Sequence, residues 1–358
     1  MIGIAVILVA AIAPLLFSTF FVSFILTQTL WLGIAAASLI FLSAYGGMIS
    51  LAQVALYGIA GFTLGNVITT GESHGLNLGW NPWLGVLLGI VITTLVGIIL
   101  GALASRSIGI YFLMITLTYA VIAYYFFGQV VTFSGFGGIS SIHPPDLIGL
   151  PEAHPFRLYY AALIVALGVY LLIRYLLPTP FGRVLQGVRD EPVRMNALGY
   201  NVALHRTLAF GVGAFIASLA GVIYVWWNGH IDPNSIGLAA TLDLLAIAVI
   251  GGLHRLEGAW LGAFAFVLIS NYIRQVPFLE HIGIDESRFH TVIGAIFLLI
   301  VLASQNGMLG CWESAREAMR RRLGAAGSRR GNAESQRLRG GVRHDASPGR
   351  KRKEEASS

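Results

Sequence analysis

Long apolar stretches alternate with short polar ones along most of the chain, and this alternation predicts its secondary structure. Each apolar stretch is continuous over roughly 20 residues, the length of an α-helix that crosses the hydrocarbon core of a bilayer. A transmembrane β-barrel would instead show apolar and polar residues in alternation within strands of about ten residues. The pattern predicts ten spanning helices, near residues 2–24, 27–47, 49–69, 83–104, 107–128, 157–177, 206–227, 237–252, 258–275 and 288–306.

Two of these spans have alternative interpretations. The first could be a secretory signal peptide, because small residues occur in its VAAIAP segment. No positive charge precedes it, however, and its apolar run continues past the point of cleavage, which favours a retained helix. The third, SLAQVALYGIAGFTLGNVITT, is rich in glycine and either crosses the membrane or re-enters it.

Arginines beside the spans predict which face is cytoplasmic, because flanking Lys and Arg are retained on that side. Arg106 follows the fourth span, three further arginines lie between the sixth and the seventh with Arg206 at the start of the seventh, and Arg255 follows the eighth. The opposite loops, including residues 129–156, contain no Lys or Arg. The loop after the ninth span is an exception, since it carries Arg274 and Arg288 with three acidic residues between them. Both termini are therefore expected in the cytoplasm.

Composition agrees with a membrane protein and sets the end of the chain apart. The chain is 56% hydrophobic and 11% charged, whereas soluble domains are about 45–50% apolar and about 25% charged. Residues 311–358 carry 13 of the 23 Lys+Arg and 6 of the 17 Asp+Glu, a net charge of +7. We expect a disordered basic tail there, after a transmembrane domain over residues 1–310. Its charge is typical of attraction to anionic lipid rather than of nucleic-acid binding.

Small residues predict how the helices pack. In lipid there is little hydrophobic drive between helices, so glycines that allow close backbone approach mark interfaces. Four GxxxG pairs have this spacing, namely Gly61 with Gly65, Gly85 with Gly89, Gly97 with Gly101, and Gly258 with Gly262.

Several chemistries are excluded or weakened by the residues present. The only lysines are Lys351 and Lys353, so a P-loop, which needs a lysine after its glycines, cannot form. No HExxH motif occurs, and the single Cys311 rules out an internal disulfide and a cysteine-based metal cluster. No metal or cofactor is expected. Asp243 is the one acidic residue well inside a span, which is poor for an ion relay, although an ion-coupled secondary transporter remains an alternative.

One stretch gathers charge between two apolar runs, TPFGRVLQGVRDEPVRMNALGYNVALHR at residues 179–206. Its apolar and charged positions predict one or two short amphipathic helices at the cytoplasmic face, with Gly199 as a terminator. A solvated interfacial loop would show the same pattern. At about 28 residues, however, it is far longer than the roughly 2–8 residues of an ordinary helix connection. Its length favours a surface that binds a partner.

The same stretch resembles the cytoplasmic loop of the LivH/LivM permeases, the membrane subunits of branched-chain amino acid ABC importers. YGGMISLAQVALYGIAGFTLG, VIGGLHRLEGAWLGAFAFVLI and FSGFGGISSIHPP are similar to three further blocks of that family, the last typical of its LivM type. The resemblance covers about residues 40–305 in order. Arg206 stands where the family often has lysine, and His254, Arg255, Glu257 and Ala259 depart from its usual residues.

The resemblance implies an all-α polytopic membrane protein of about ten transmembrane helices, with the type II ABC importer-like permease bundle. It implies no enzymatic activity in this chain, separate ATP-binding subunits, a second LivH-like permease and a substrate-binding protein. The substrate would be branched-chain amino acids, although similar permeases serve urea or short amides. Within the cytoplasmic loop 178–205, the residues implied to couple to the ATPase are Arg183, Arg189, Asp190, Glu191, Ala197, Leu198 and Gly199. The candidates for a translocation path or gate are Asp243, Gln53, Gly251 and Gly252.

Overall fold

The described part of the protein folds into α-helices, most of them joined by short turns. The computed structural model describes residues 21–70, 75–145, 148–149, 155–253 and 255–273. In chain order the α-helices within these ranges are α1 (Thr27–Gly46), α2 (Gln53–Ile68), α3 (Pro82–Ala104), α4 (Ile110–Gln129), α5 (Pro155–Leu176), α6 (Pro180–Asp190), α7 (Pro192–Ala197), α8 (Val202–Asn228), α9 (Leu238–Gly251) and α10 (Gly258–Ile273). A π-helical turn, Phe21–Leu26, precedes α1, and a 3₁₀ turn, Pro233–Ile236, precedes α9.

Eight predicted spans coincide with apolar helices of the described ranges. By length and composition α1 with its preceding turn, α3, α4, α5 and α8 can each cross a membrane. In contrast α2, α9 and α10 contain 16, 14 and 16 residues. At about 1.5 Å per residue they are shorter than the roughly 30 Å of a hydrocarbon core. Most of the predicted first span, the span at 288–306 and the basic tail lie outside the described residues.

The predicted boundary between the first two spans is wrong. Residues 21–46 form one continuous helix, which begins as a π-helical turn and passes into α1 without a break. Threonine hydroxyls stabilise the junction, since Thr27 donates to the Val22 carbonyl at 3.0 Å and Thr29 to the Ile25 carbonyl at 2.7 Å. An unbroken apolar sequence shows that helices are present but not where one of them ends.

Helix α8 is the centre of the bundle and packs against α1, α2 and α3. Both α1 and α8 are largely buried, whereas α3, α4 and α5 expose most of their length. Glycines bring the central helices into contact: a Cβ atom on Gly221 of α8 would stand 2.1 Å from the Tyr57 carbonyl oxygen of α2. The backbones of α2 and α8 therefore touch at this crossing.

The glycine pairs predicted from the sequence do mark interfaces. The buried residues of α3 are Gly85, Gly89, Thr93, Gly97, Gly101 and Ala104, which form one stripe because residues four apart share a helix face. A Cβ atom on Gly97 would stand 2.2 Å from the Ala214 Cβ, and one on Gly89 would stand 3.1 Å from the Ala60 carbonyl oxygen. The side of α3 away from this stripe exposes large apolar residues such as Leu87, Leu95 and Ile99, as expected for a surface in lipid.

The other two pairs also lie at contacts. A Cβ atom on Gly61 would meet the Ile231 side chain at 2.6 Å, and one on Gly65 would meet the Ile142 side chain at 3.0 Å. On α10, Cβ atoms on Gly258 and Gly262 would stand 2.4 and 2.2 Å from carbonyl oxygens of α9. The prediction of close packing at all four pairs is confirmed.

Candidate functional site

The charged stretch between α5 and α8 folds into two short helices, α6 and α7. These two helices and their flanking turns, residues 179–201, are called the connector. Thr179 caps α6 by accepting the Gly182 backbone N–H at 3.3 Å, and Pro180 occupies the first turn. Both features are typical of a helix start. The DEP sequence then ends α6, because the residue before a proline is disfavoured in helical conformation. The prediction of one or two short helices is confirmed, and their number is two.

The connector ends in a glycine-terminated helix cap. The Gly199 N–H donates to the Asn196 carbonyl at 3.0 Å, and the Tyr200 N–H donates to the Met195 carbonyl at 3.1 Å. Gly199 has a φ of +89°, the left-handed conformation that this Schellman arrangement requires. Its predicted role as a terminator is confirmed.

Glycines also fix how α6 sits on its neighbours. A Cβ atom on Gly182 would stand 2.3 Å from the Leu176 carbonyl oxygen, so the first turn of α6 lies directly on the end of α5. Leu185 and Val188 are buried on the inner face of α6, which packs against α1 and α8. The connector is therefore held against the bundle by packing as well as by its two chain attachments.

Arg189 links the connector to the end of α1. Its Nη1 donates to the backbone carbonyl of Ala44, one of the last four carbonyls of α1, which have no partner within their own helix. A cation at this place also interacts favourably with the helix dipole. Its Nε donates to the Asp190 carboxylate at 2.7 Å. One side chain thus joins α6 to the spanning helix α1.

The Asp190 carboxylate is fully exposed and holds Arg189 in this orientation. The hydrogen bond from Arg189 lowers the pKa of Asp190 below its ordinary value. Because the shift is downward, the pair is intact above the ordinary Asp pKa, about 3.9, and is lost only as the pH falls through the lower folded value. Asp190 is therefore ionised throughout the physiological range.

The far side of the connector presents apolar side chains to solvent. Val193 on α7 is 81% exposed and Leu198 is 64% exposed. None of the residues of α7 is buried. Exposed apolar groups beside charged ones are typical of a protein-binding surface. Helix α7 packs against α6, the helix that carries Arg189.

The structure brings the seven predicted connector residues into one segment but gives them different environments. Arg183 lies on α6, where its Nε donates to the Pro178 carbonyl at 3.0 Å. Glu191 stands at the junction of α6 and α7, and its carbonyl accepts the Met195 N–H at 3.1 Å. Ala197 is the last residue of α7. Ala44 and Gly47, which contact Arg189, were not predicted, because a backbone contact over 145 residues of sequence leaves no local pattern.

The four predicted path residues do not form one cluster. Asp243 on α9 lies close enough to the Tyr57 hydroxyl of α2 for its charge to act on it. Gln53 is buried one helical turn before Tyr57 and donates to the Ser50 hydroxyl at 3.4 Å. Gly251 and Gly252 are at the opposite end of α9 from Asp243.

The structure explains why glycine occupies positions 251 and 252. A Cβ atom on Gly251 would stand 1.9 Å from the Gly258 carbonyl oxygen, where α9 and α10 meet. Gly252 has a φ of +103° at the end of α9, a conformation that L side chains rarely adopt. The tight turn into α10 therefore requires both glycines.

A hydrogen-bonded cluster near Asp243 was not predicted. Tyr57 donates to the Ser235 carbonyl at 2.5 Å, and Tyr224 donates to the Ser235 hydroxyl at 2.8 Å. The Ser235 hydroxyl and N–H both donate to the Asp232 carboxylate, at 2.6 and 2.8 Å. Trp31 packs on Tyr224 with ring centroids 4.9 Å apart. The 3₁₀ turn is thereby tied to α2 and α8.

The family of the chain follows from sequence comparison. A family model described as "Branched-chain amino acid transport system / permease component" matches residues 21–302. The chain belongs to this family. It is a permease subunit of an ABC importer and an all-α, multi-pass membrane protein, as the LivM-type resemblance of its sequence implied.

The permease is similar to several named permeases. The probable branched-chain amino acid transport permease protein LivM of Methanocaldococcus jannaschii is 26% identical over 302 residues, 77% of this chain and 84% of that protein. The high-affinity branched-chain amino acid transport system permease protein LivM of Escherichia coli K12 is 23% identical over 287 residues, 74% of this chain and 64% of that protein. LivH of the same organism is 26% identical over 158 residues, 43% of this chain and 46% of that protein. No solved structure matches the chain significantly.

Proposed function

We propose that the permease forms, with a second LivH-like permease subunit, a translocation path for branched-chain amino acids in the bacterial inner membrane. A substrate-binding protein outside the membrane delivers the amino acid, and separate ATP-binding subunits supply the energy. The chain itself catalyses no reaction. The names of its LivM and LivH relatives support this substrate class and this set of partners.

The observation that carries the coupling part of the proposal is the hydrogen bond from Arg189 to the Ala44 carbonyl. An ATPase bound to the exposed apolar face of α7 would move the connector when its nucleotide sites close. Because Arg189 joins α6 to α1, this displacement reaches a spanning helix directly. Interfaces and packed helices respond to such displacements by switching between discrete arrangements.

In this proposal the connector and both termini face the cytoplasm. The arginine asymmetry between the loops supports this orientation. Arg157 is an exception, because it is exposed on the first turn of α5, at the end opposite the connector. The turn at residues 229–237, with its Asp232 and Ser235 contacts, then faces the side on which the binding protein delivers substrate. Asp243 and Gln53 contribute polar groups to the path, and Gly251 and Gly252 set the turn at its other end.

Reconstitution with defined subunits tests the proposal. Proteoliposomes would contain this permease, its candidate permease partner and the candidate ATPase subunits, with the binding protein outside. We expect leucine uptake that requires ATP and the ATPase subunits and that persists when ion gradients are collapsed. Uptake by this chain alone that stops when a proton or sodium gradient is collapsed would instead establish an ion-coupled carrier. Uptake of urea but not leucine would reject the substrate class alone.

A charge reversal tests the coupling contact. Arg189→Glu would place a carboxylate against the Ala44 carbonyl and beside Asp190, so the contact cannot form. We expect ATP hydrolysis to continue while uptake falls by at least about tenfold, the scale of losing one charge-assisted hydrogen bond. Arg157→Glu is the matched control, because it reverses an exposed arginine at the opposite end of α5. Equal uptake by the two variants would contradict a coupling role for Arg189.

A further inference from the structure

A cavity of about 230 Å³ lies next to the place where the connector touches α1, since Gly47 lines it. Its wall comes from the turn after α1, the turn between α3 and α4, the first turn of α4, and Arg206 of α8. None of the described residues that line it is acidic. A water molecule occupies about 30 Å³, so the space is large enough for a polar headgroup.

Arg206 is a mostly buried arginine in the wall of this cavity. The residue is 8% exposed, and its Nε is buried without a hydrogen-bond partner. No ion pair in the part of the chain that the structure describes includes it. A guanidinium that has no protein partner and reaches a cavity is suited to bind an anion there.

The start of α4 offers a second feature suited to an anion at the same place. Gly109, Ile110 and Phe112 of its first turn line the cavity. This 20-residue helix has no side-chain cap at its N-terminus. The N–H groups of a helix's first turn have no partner within the helix, and together with the helix dipole they attract anions. Arg206 and an uncapped helix start therefore meet at one cavity.

The rim of the cavity indicates what kind of anion it accepts. Ile110 is 69% exposed, and Ile108 and Ile49 are also exposed; all three line the cavity. The side of α4 that continues from this rim exposes apolar side chains along a helix long enough to cross the bilayer. A cationic interior next to an apolar outer surface matches a molecule that is anionic at one end and apolar at the other.

We propose that this cavity binds the phosphate of an anionic phospholipid, with the guanidinium of Arg206 and the first-turn N–H groups of α4 as donors. The Ser107 hydroxyl lines the same space and is a further donor. The acyl chains would lie along the exposed face of α4. Basic pockets between transmembrane helices are suited to such headgroups, and a guanidinium matches the phosphate geometry. The proposal does not depend on which substrate the permease transports.

Lipid retention by the purified full-length chain tests the site. Native mass spectrometry would compare phosphatidylglycerol with phosphatidylcholine of the same acyl chains. We expect preferential retention of one phosphatidylglycerol, and about tenfold weaker retention by Arg206→Gln, the scale of losing one charge-assisted contact. Arg206→Lys keeps the charge but not the planar fork and should retain an intermediate amount. Arg183→Gln removes an exposed arginine of the connector and should behave as wild type. Equal losses in Arg183→Gln and Arg206→Gln would overturn the proposal.

A second measurement uses only the wild-type chain and so does not depend on the folding of a variant. Phosphatidylglycerol with a photoreactive group next to its phosphate would be crosslinked in nanodiscs. We expect the adduct on the peptide that contains residues 107–113, and we expect excess inorganic phosphate not to compete. Absence of the adduct from this peptide, or equal labelling by the phosphatidylcholine analogue, would reject the site. Full competition by inorganic phosphate would show a site for a small anion and reject the lipid.

Discussion

The Arg189 side chain lies over the Cα atom of Gly47, where a Cβ atom would stand 2.6 Å from the Arg189 Cγ. Gly47 ends α1 with a φ of +65°. Two separate requirements for glycine, a left-handed backbone and a close approach, therefore meet where the connector touches α1.

We predict that Gly47→Ala destabilises the protein by more than its backbone conformation explains. A left-handed conformation costs an L residue about 1–2 kcal/mol, and overpacking adds about 1–3 kcal/mol. Unfolding by SDS from mixed micelles would measure the change. Gly229→Ala is the matched control, because Gly229 also has a φ of +65° and ends α8 with nothing within 4 Å of its Cβ position.

Combining Gly47→Ala with Arg189→Ala separates the two effects. Removal of the arginine side chain beyond Cβ relieves the overpacking but leaves the backbone strain. In that background we expect Gly47→Ala and Gly229→Ala to destabilise equally. A difference that persists would mean that the contact with Arg189 is not its cause.

The glycine stripe of α3 leads to a second prediction. Gly97→Ala would place a Cβ atom 2.2 Å from the Ala214 Cβ, so α3 and α8 would have to separate. We expect a loss of about 1–3 kcal/mol, measured by the same SDS titration. Gly168→Ala in α5 is the control, because nothing lies within 4 Å of its Cβ position. Alanine favours a helix over glycine by about 1 kcal/mol, so this control should be neutral or stabilising, and a similar loss in both variants would count against the stripe.

Patterns of sequence predicted the helices and the α3 interface because both follow from local rules. Glycines four residues apart share a face of any helix, so the stripe from Gly85 to Gly101 could be seen without knowing its partner. The TPFG, DEP and ALG segments likewise contain the signals that begin and end α6 and α7. These features depend on residues within one or two turns of each other.

Contacts between distant segments could not be predicted in the same way. The acceptor of Arg189 is a backbone carbonyl, and every residue has one, so the Ala44 side chain carries no signal. The predicted seventh span begins at Arg206, but α8 begins at Val202 and carries this arginine into the bundle. Asp243 was identified alone, whereas the nearby Tyr57 and the Ser235 carbonyl to which Tyr57 donates belong to segments that only the fold brings together.

The hydrogen bond from Tyr57 to the Ser235 carbonyl leads to a third prediction. Tyr57→Phe keeps the ring packing but leaves a part-buried carbonyl without this donor. Such a loss costs about 1–3 kcal/mol. We expect lower stability and faster hydrogen exchange at residues 231–237, measured by mass spectrometry. Tyr111→Phe is the control, since that tyrosine is on the exposed surface of α4. Unchanged exchange at 231–237 in Tyr57→Phe would contradict a role for this bond in fixing the 3₁₀ turn.

The exposed apolar face of α7 leads to the last prediction. Val193 is 81% exposed, so Val193→Asp should not disturb the fold, yet it would place a charge in the proposed interface with the ATPase subunit. A charge that is buried in an interface without a partner is costly. We expect the affinity for the ATPase subunits to fall by at least about tenfold, which corresponds to about 1.4 kcal/mol. Biolayer interferometry on nanodisc-embedded permease would measure it.

Val131→Asp provides the comparison for this variant. Val131 follows α4 at the end remote from the connector and is 63% exposed, so the two substitutions introduce the same charge at similarly exposed valines. If α7 is the docking surface, only Val193→Asp weakens ATPase binding, and uptake falls with it. If Val131→Asp weakens binding equally, the effect is one of overall charge. If neither does, the ATPase binds elsewhere, and the Arg189 contact with α1 cannot carry the motion that drives transport.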